Sequence, residues 1–213
     1  MTAPSDRIID LYREGAADWI ESRGRVLFSG EGGPDEGVWL ERFTQGLAPG
    51  ATILDVGCGS GWPIAAELLR RGFAVTGMDT SEGLLDHARA TLPHGRWIQG
   101  DMRVLELEET FDGVIAWHSL FHLTPEDQEV VVPKLAARVA PGGRLMFTSG
   151  PARGEALGAW RGEALYHGSL DPEDYRRLLT HAGLIVEAGA RPDAPGPGTA
   201  WLARRPLSPS DQG

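Results

Sequence analysis

A short apolar run, Ile53-Leu54-Asp55-Val56, leads directly into Gly57-Cys58-Gly59-Ser60-Gly61, and helix-patterned sequence follows. Glycine reaches backbone angles that a Cβ forbids and lets a bound molecule approach the main chain closely. In an open α/β sheet, a strand-turn-helix of this kind lies at the carboxyl ends of the strands, where ligands sit. A glycine-rich loop alone also serves as a simple tight turn, so its neighbours must decide.

Strand and helix signals alternate around the loop. Strands are predicted at 52–56, 74–78, 96–98, 111–116 and 144–149. Helical patterns fall at 63–71 and 81–91, with Ser81 as N-cap, and a third begins at Thr124-Pro125, a capping threonine before a proline. Pro133 is expected to break or kink that helix, and Pro141-Gly142-Gly143 reads as a turn. This alternation indicates a parallel sheet covered on both faces. Upstream, 5–23 reads as one helix capped by Ser5, with Ile8, Leu11, Tyr12, Ala16, Trp19 and Ile20 on one face. A glycine-rich loop at 30–37 precedes a short helix carrying Val38, Trp39, Phe43 and Leu47. Downstream, 154–168 reads as a loop and Asp171-Pro172 starts a helix that ends near Ala182. Segments 184–188 and 199–204 are candidate closing strands.

The 213 residues suit one domain. That domain is expected over 1–205, with cap helices within about 5–47 and a disordered tail at 206–213. No apolar run is long enough to predict a membrane span. Met1-Thr2-Ala3-Pro4-Ser5-Asp6 lacks the apolar core of a secretion signal, so the expected location is cytoplasmic. A net charge of −10 opposes binding to nucleic acid. The single cysteine, Cys58, excludes an internal disulfide and a multi-cysteine metal centre.

Val75-Thr76-Gly77-Met78-Asp79 ends in an acid at the same sheet edge as the glycines. A carboxylate there accepts hydrogen bonds from both hydroxyls of a ribose, or else caps the helix that follows. Gly100-Asp101-Met102 sets another carboxylate beside the crevice, suited to an adenine amino group or to a turn. The glycine spacing is G-x-G-x-G, unlike the dinucleotide pattern G-x-G-x-x-G. Asp55, Asp79 and Asp101 are expected to line one site, which disfavours a pyrophosphate and suits a sulfonium cation that carries an ammonium group.

With these features the chain resembles the class I S-adenosylmethionine-dependent methyltransferases over about 46–150. Asp55-Val56-Gly57-Cys58-Gly59-Ser60-Gly61 resembles the motif that holds the methionine part, Asp79 the ribose-binding acid, and Asp101-Met102 the adenine motif. Phe111-Asp112-Gly113-Val114-Ile115-Ala116 resembles the strand bordering the active site, and Pro141-Gly142-Gly143-Arg144-Leu145 the turn before strand five. The resemblance implies a Rossmann-like α/β fold: seven strands, mostly parallel, helices on both faces, the last strand antiparallel. It implies S-adenosylmethionine as cofactor and methyl transfer as activity. Its cofactor-binding set on this chain is Asp55, Gly57, Cys58, Gly59, Gly61, Asp79, Thr80, Asp101, Met102 and Ala116. Segments 147–151 and 166–172 resemble a bacterial subgroup of small methyltransferases without a settled substrate.

The resemblance places the transferable methyl beside Trp117-His118-Ser119-Leu120-Phe121-His122. His118 is the candidate general base, because histidine titrates near neutrality; the alternative is a histidine that only bonds backbone. A helix would align His118 with His122, but with no cysteine nearby and no clear third ligand no metal site is expected. Tyr12, His122, Tyr166 and His167 are candidate acceptor contacts, and Trp19 is expected to pack as core. The inserted region is short, which favours a small-molecule acceptor. Two rivals remain: a nicotinamide-dependent oxidoreductase, disfavoured by the glycine spacing, and a non-catalytic protein that binds the cofactor or its demethylated product.

Overall fold

Runs of apolar and β-branched residues form the central strands, β1 (Thr52–Val56), β2 (Ala74–Asp79), β3 (Arg96–Gln99), β4 (Phe111–Ala116) and β5 (Val139–Ser149). The computed structural model describes residues 4–29, 34–189 and 199–207. Residues 30–33 of the expected loop and 208–213 of the expected tail therefore lie outside the described residues, and the loop's last two residues, Glu36 and Gly37, open a helix.

With β8 (Ile185–Ala188) and β9 (Thr199–Arg204), these strands make a seven-stranded sheet in the order β3-β2-β1-β4-β5-β9-β8. β1 pairs in parallel with β2 and β4, β2 with β3, and β4 with β5. β9 is antiparallel to both β5 and β8. This is the Rossmann-like sheet with its last strand reversed, as the resemblance implies.

Side chains alternate across each strand, so the sheet buries two separate cores. On one face Leu54, Val56, Val114, Leu145 and Phe147 pack against α6 (Pro125–Ala137) and α7 (Pro172–His181). On the other, Ile53, Val75, Ile115 and Met146 pack against α3 (Glu36–Thr44), α4 (Ile64–Arg70) and α5 (Glu82–Thr91). Each fully buried Leu or Ile contributes roughly 1.5–3 kcal/mol relative to an exposed one. Among the described residues no helix is long and apolar enough to cross a membrane.

Several sequence expectations are corrected. The first helix is two, α1 (Pro4–Glu14) and α2 (Ala16–Arg23), and Ser5 lies inside α1 rather than capping it. They meet at Gly15, where an added Cβ would sit 2.6 Å from the Trp160 ring. Segment 154–168 is not a loop but a hairpin, β6 (Gly154–Trp160) paired with β7 (Glu163–Ser169) apart from the main sheet. Its turn is Arg161-Gly162, both at positive φ (55° and 78°), the backbone a two-residue hairpin turn requires. Pro133 does not end α6, which runs through it. Pro141-Gly142-Gly143 lies within β5, where the β4–β5 register shifts between Phe111 and Gly113. Ser81 precedes α5 but makes no side-chain cap; its hydroxyl donates to the Tyr12 carbonyl at 3.3 Å.

Candidate active site

Strand order reverses between β1 and β4: the chain leaves β1 toward β2 and leaves β4 toward β5. Ligands of open α/β sheets bind outside the carboxyl ends of the strands at such a point. The glycine loop leaves β1 there, and His118 follows β4.

Gly57, Gly59 and Gly61 all have positive φ, at 73°, 56° and 75°. Their reasons differ. A Cβ on Gly57 would come 2.3 Å from that of Ser119, whose hydroxyl donates to the Val56 carbonyl at 2.7 Å. On Gly61 it would strike Leu92 and Trp97, both at 2.8 Å, so Gly61 serves packing. Gly59 has more room: the nearest atom to its Cβ would be Trp19 Nε1, at 3.3 Å. Asp79 ties the loop down. Its two carboxylate oxygens accept the Gly59 N–H at 2.8 Å and the Ser81 N–H at 2.9 Å.

A cleft opens here, lined by Gly57, Gly59, Asp79, Thr80, Asp101 and Met102. Tyr12 from α1 and Trp19 from α2 cover it, so Trp19 borders the cleft rather than packing as plain core. Asp55 and Cys58 line a small cavity of about 50 Å³ that Arg23, Trp62 and Trp117 also line. Ala116 is fully buried in the core.

The charges test whether a cationic cofactor fits. Burial, reinforced by Asp79, raises the Asp55 pKa to about 7. Burial also raises Asp79, against the lowering effect of its backbone N–H bonds. Among the described residues neither acid has an ion-pair partner. A sulfonium with an ammonium group supplies the missing positive charge, so the donor set fits it. Burial and the same two acids raise the Cys58 thiol, which keeps it protonated. Asp101 departs from the expected trio. Burial acts to raise it, but Arg103, bonded at 2.7 Å, outweighs this and holds it below its ordinary value. Arg103 also pairs with Asp6 of α1 at 3.0 Å. Of the three acids, Asp55 and Asp79 are thus without an ion-pair partner among the described residues, and Asp101 is paired.

His118 sits at φ 52°, a left-handed conformation that a side chain with a Cβ rarely adopts. Its N–H donates to Thr148 Oγ1 at 2.9 Å, which helps hold that backbone in place. Strain of this kind, of order 1–3 kcal/mol, persists where the surroundings over-determine it. Burial lowers the His118 pKa, and Arg23 adds to this, beyond what Glu36 at 3.9 Å offsets. The imidazole is therefore neutral at pH 7. Glu36, at the start of α3, escaped the sequence reading. It is 1% exposed and accepts bonds from Arg23, from the Trp117 indole at 3.0 Å and from the Phe28 N–H at 2.7 Å. A glutamate in the first turn of a helix looks solvent-exposed, so no sequence signal marks it.

His122 does not share a helix with His118; it ends the short 3₁₀ turn Leu120–His122. Its Nδ1 lies 2.9 Å from the Tyr166 carbonyl, which only accepts, so Nδ1 carries the proton. Nε2 then accepts from the Tyr12 hydroxyl at 3.0 Å. Burial drives the His122 pKa down to about 4, which keeps this tautomer neutral. His122 and Tyr12 both border the cleft. Tyr166 is buried against Ile8 and Leu11, and its hydroxyl donates to Glu155 at 2.7 Å.

A second cavity, of about 500 Å³, lies between the end of β5 and the β6–β7 hairpin and takes in His167, Phe121, Thr148 and Glu155. Among the described residues His118 alone lines this cavity, the cleft and the smaller cavity. Among the described residues no group of three or more His, Cys, Asp or Glu is arranged to hold a metal ion.

The chain is similar to known proteins. A family model described as a methyltransferase domain matches residues 53–143. A trans-aconitate 2-methyltransferase of Azoarcus sp. (strain BH72) is 30% identical over 181 residues, covering 68% of this chain and 71% of that protein. A ubiquinone biosynthesis O-methyltransferase of Coxiella burnetii (strain Dugway 5J108-111) is 28% identical over 155 residues and 68% of this chain. The chain spans 64% of that relative's length. Among solved structures, a magnesium protoporphyrin IX methyltransferase from Synechocystis PCC 6803 with bound SAM superposes with a TM-score of 0.70 at 19% identity. That match covers 96% of this chain and 98% of the other, and shows a common fold.

Proposed function

Because the chain belongs to the class I S-adenosylmethionine-dependent methyltransferases, we propose that it transfers a methyl group from S-adenosylmethionine to a small-molecule acceptor. The observation that carries this reading is His118, set where the cofactor cleft meets the second cavity.

The cofactor supplies a methyl group on a positively charged sulfur. In this reading the backbone of Gly57 and Gly59 cradles it, and Asp79 accepts from the ribose hydroxyls. Asp55 and Arg23, which line one small cavity, face the ammonium and carboxylate of its amino-acid end. Met102 and Asp101 border the adenine. Tyr12 and Trp19 cover the site and exclude water.

The acceptor enters through the second cavity, which is the size of a small-molecule site. Displacement at carbon needs in-line approach, and holding both partners in place supplies much of the rate. His118, neutral at pH 7, takes the proton of an acceptor that arrives protonated. His167 and Phe121 wall the cavity, while Tyr166 acts from behind by fixing Glu155. The relatives' names point to unlike acceptors, so kinship alone selects none. The charge of −10 supports a reading without nucleic acid or membrane as partner. A cytoplasmic location is part of the same proposal.

The test is to incubate the protein with methyl-labelled S-adenosylmethionine and, separately, a filtered small-molecule extract, protein and nucleic acid. Label in the small-molecule fraction, with S-adenosylhomocysteine accumulating, is the expected result. Label in a macromolecular fraction overturns the acceptor class. Tight cofactor binding with no turnover in any fraction supports a non-catalytic binding protein instead.

A further inference from the structure

Glu36 is bonded from three directions. Its Oε1 accepts from Arg23 Nη2 at 2.5 Å and from the Trp117 indole at 3.0 Å. Its Oε2 accepts the Phe28 N–H at 2.7 Å, and its own N–H donates to the Phe28 carbonyl at 3.0 Å. These bonds use both carboxylate oxygens and join the end of α2 to the start of α3 and to the residue after β4. A carboxylate at 1% exposure is costly unless it is paired and hydrogen-bonded. Glu36 itself lines neither the cleft nor the two cavities, so it meets neither cofactor nor acceptor directly.

Arg23 does line the small cavity. It and Asp55 are the two formally charged side chains among the described residues there. Opposite charges that share so small a space attract one another strongly. Yet Arg23 pairs with Glu36, and among the described residues Asp55 has no ion-pair partner. The Glu36 bond occupies one guanidinium nitrogen and leaves other N–H groups for a further acceptor.

We infer that Glu36 is a positioning residue: it holds Arg23 off Asp55, and so keeps a cation and an anion apart in the small cavity to receive the carboxylate and the ammonium of the cofactor's amino-acid end. This rests on the reading of the chain as a methyltransferase with that end of the cofactor in the small cavity. Two effects follow from the geometry. A guanidinium that is already fixed does not have to be ordered when the cofactor binds. An Asp55 left unpaired stays open to the ammonium, which an Arg23–Asp55 pair would shut out. Among the described residues Glu36 is the one side chain hydrogen-bonded to Arg23. Once its charge is removed, the acid beside Arg23 in the cavity is Asp55.

The experiment compares S-adenosylhomocysteine with 5′-methylthioadenosine, which keeps the adenosine and the thioether but lacks the amino-acid end. Each is titrated calorimetrically into the full chain. Wild type is expected to bind S-adenosylhomocysteine at least about tenfold tighter than 5′-methylthioadenosine. Glu36→Gln keeps an oxygen for the Trp117 and Phe28 N–H groups and removes the charge that holds Arg23. It is expected to weaken S-adenosylhomocysteine at least about tenfold and to leave 5′-methylthioadenosine within about twofold. In an Arg23→Gln background the same substitution should change S-adenosylhomocysteine affinity by less than about twofold, because Glu36 acts through Arg23. Should Glu36→Gln fail to fold, Glu36→Asp keeps the charge but draws it back by one methylene, and a loss confined to S-adenosylhomocysteine is again expected. A loss shared equally by the two ligands makes Glu36 a residue of the fold and overturns the inference. Unchanged or tighter S-adenosylhomocysteine binding overturns it too, as does an equal effect with and without Arg23. A wild-type chain that binds neither compound fails the methyltransferase reading. A wild-type chain that binds both equally keeps that reading and fails this inference alone.

Discussion

One carboxylate oxygen of Asp79 accepts the backbone N–H of Gly59 at 2.8 Å, joining the end of β2 to the loop that leaves β1. The other accepts the Ser81 N–H ahead of α5. The acid thus closes the turn ahead of α5 and anchors the loop, and it borders the cleft. Asp79→Ala is expected to weaken S-adenosylhomocysteine binding by on the order of 2–4 kcal/mol, through lost charge-assisted bonds. The fold should lose less, about 1–3 kcal/mol, the cost of lost hydrogen bonds to a buried group. Calorimetry beside a denaturant melt separates the two. Affinity within about threefold of wild type, well under 1.4 kcal/mol, would leave Asp79 a structural anchor only.

The loop glycines should respond differently to substitution. Gly57→Ala drives a methyl group into Ser119 and is expected to destabilise the fold. Gly59→Val meets the Trp19 edge at 3.3 Å and Leu84 at 4.0 Å, and should leave a folded protein. Its branched side chain occupies ligand space and disfavours the positive φ, so cofactor binding should be lost. Circular dichroism and calorimetry on both variants check this. Normal binding by a folded Gly59→Val would reduce the loop to a turn.

The chain of β1, glycine loop, β2 and Asp79 was legible because each step has a local cause: apolar runs, permissive backbone and an acid at a strand end. The β6–β7 hairpin was not. Gly-Glu-Ala-Leu-Gly-Ala-Trp alternates weakly, has no β-branched residue and is almost wholly exposed. What holds it is distant: Trp160 stacks on Tyr12 at 5.4 Å, and Arg161 pairs with Asp18. The break at Gly15 was hidden for the same reason, since the ring that requires it comes from residue 160. Asp101 was placed at the cleft by its motif, but its neutralisation by Arg103 depends on a side-chain fork that spacing does not reveal. Glu36 was invisible because its partners come from α2, from the segment before α3 and from the end of β4.

Asp55 should make cofactor binding and stability respond to pH in opposite senses. Its folded pKa of about 7 lies above its ordinary value of 3.8. Between those values the folded state holds more protons than the unfolded state, so this group's contribution to stability falls as pH rises from about 4 to 7. Bound cationic cofactor favours the ionised form, so affinity should rise with pH over the upper part of that window. Asp55→Asn is expected to stabilise the ligand-free protein at pH 8 by up to about 4 kcal/mol. It should also weaken cofactor binding and flatten its pH dependence. Melts and titrations at pH 5, 6.5 and 8 test this. An Asp55→Asn variant less stable than wild type at pH 8, with unchanged cofactor affinity, would contradict it.

His118→Ala is expected to lower turnover about 10²–10⁴-fold if the acceptor arrives protonated. S-adenosylhomocysteine affinity should stay within about threefold, because the proposed adenosine contacts are those of Asp79, Asp101 and Met102 and not the imidazole. Burial lowers the His118 pKa, so wild-type turnover should already be on its plateau at pH 7 and fall at lower pH as the ring gains a proton. The variant should lose that limb. Separate measurement of kcat and acceptor KM is needed, since an acceptor that needs no base would show only a raised KM. Wild-type kcat at every pH would remove His118 from the chemistry.

All of these outcomes depend on the crevice between β1 and β4 being a site for S-adenosylmethionine. Thermal unfolding with S-adenosylmethionine, S-adenosylhomocysteine and NAD tests that directly. Both adenosyl compounds are expected to raise the melting temperature, adding about 2.7 kcal/mol at a hundredfold excess over Kd, while NAD has no effect. A shift with NAD and none with either adenosyl compound would contradict the account.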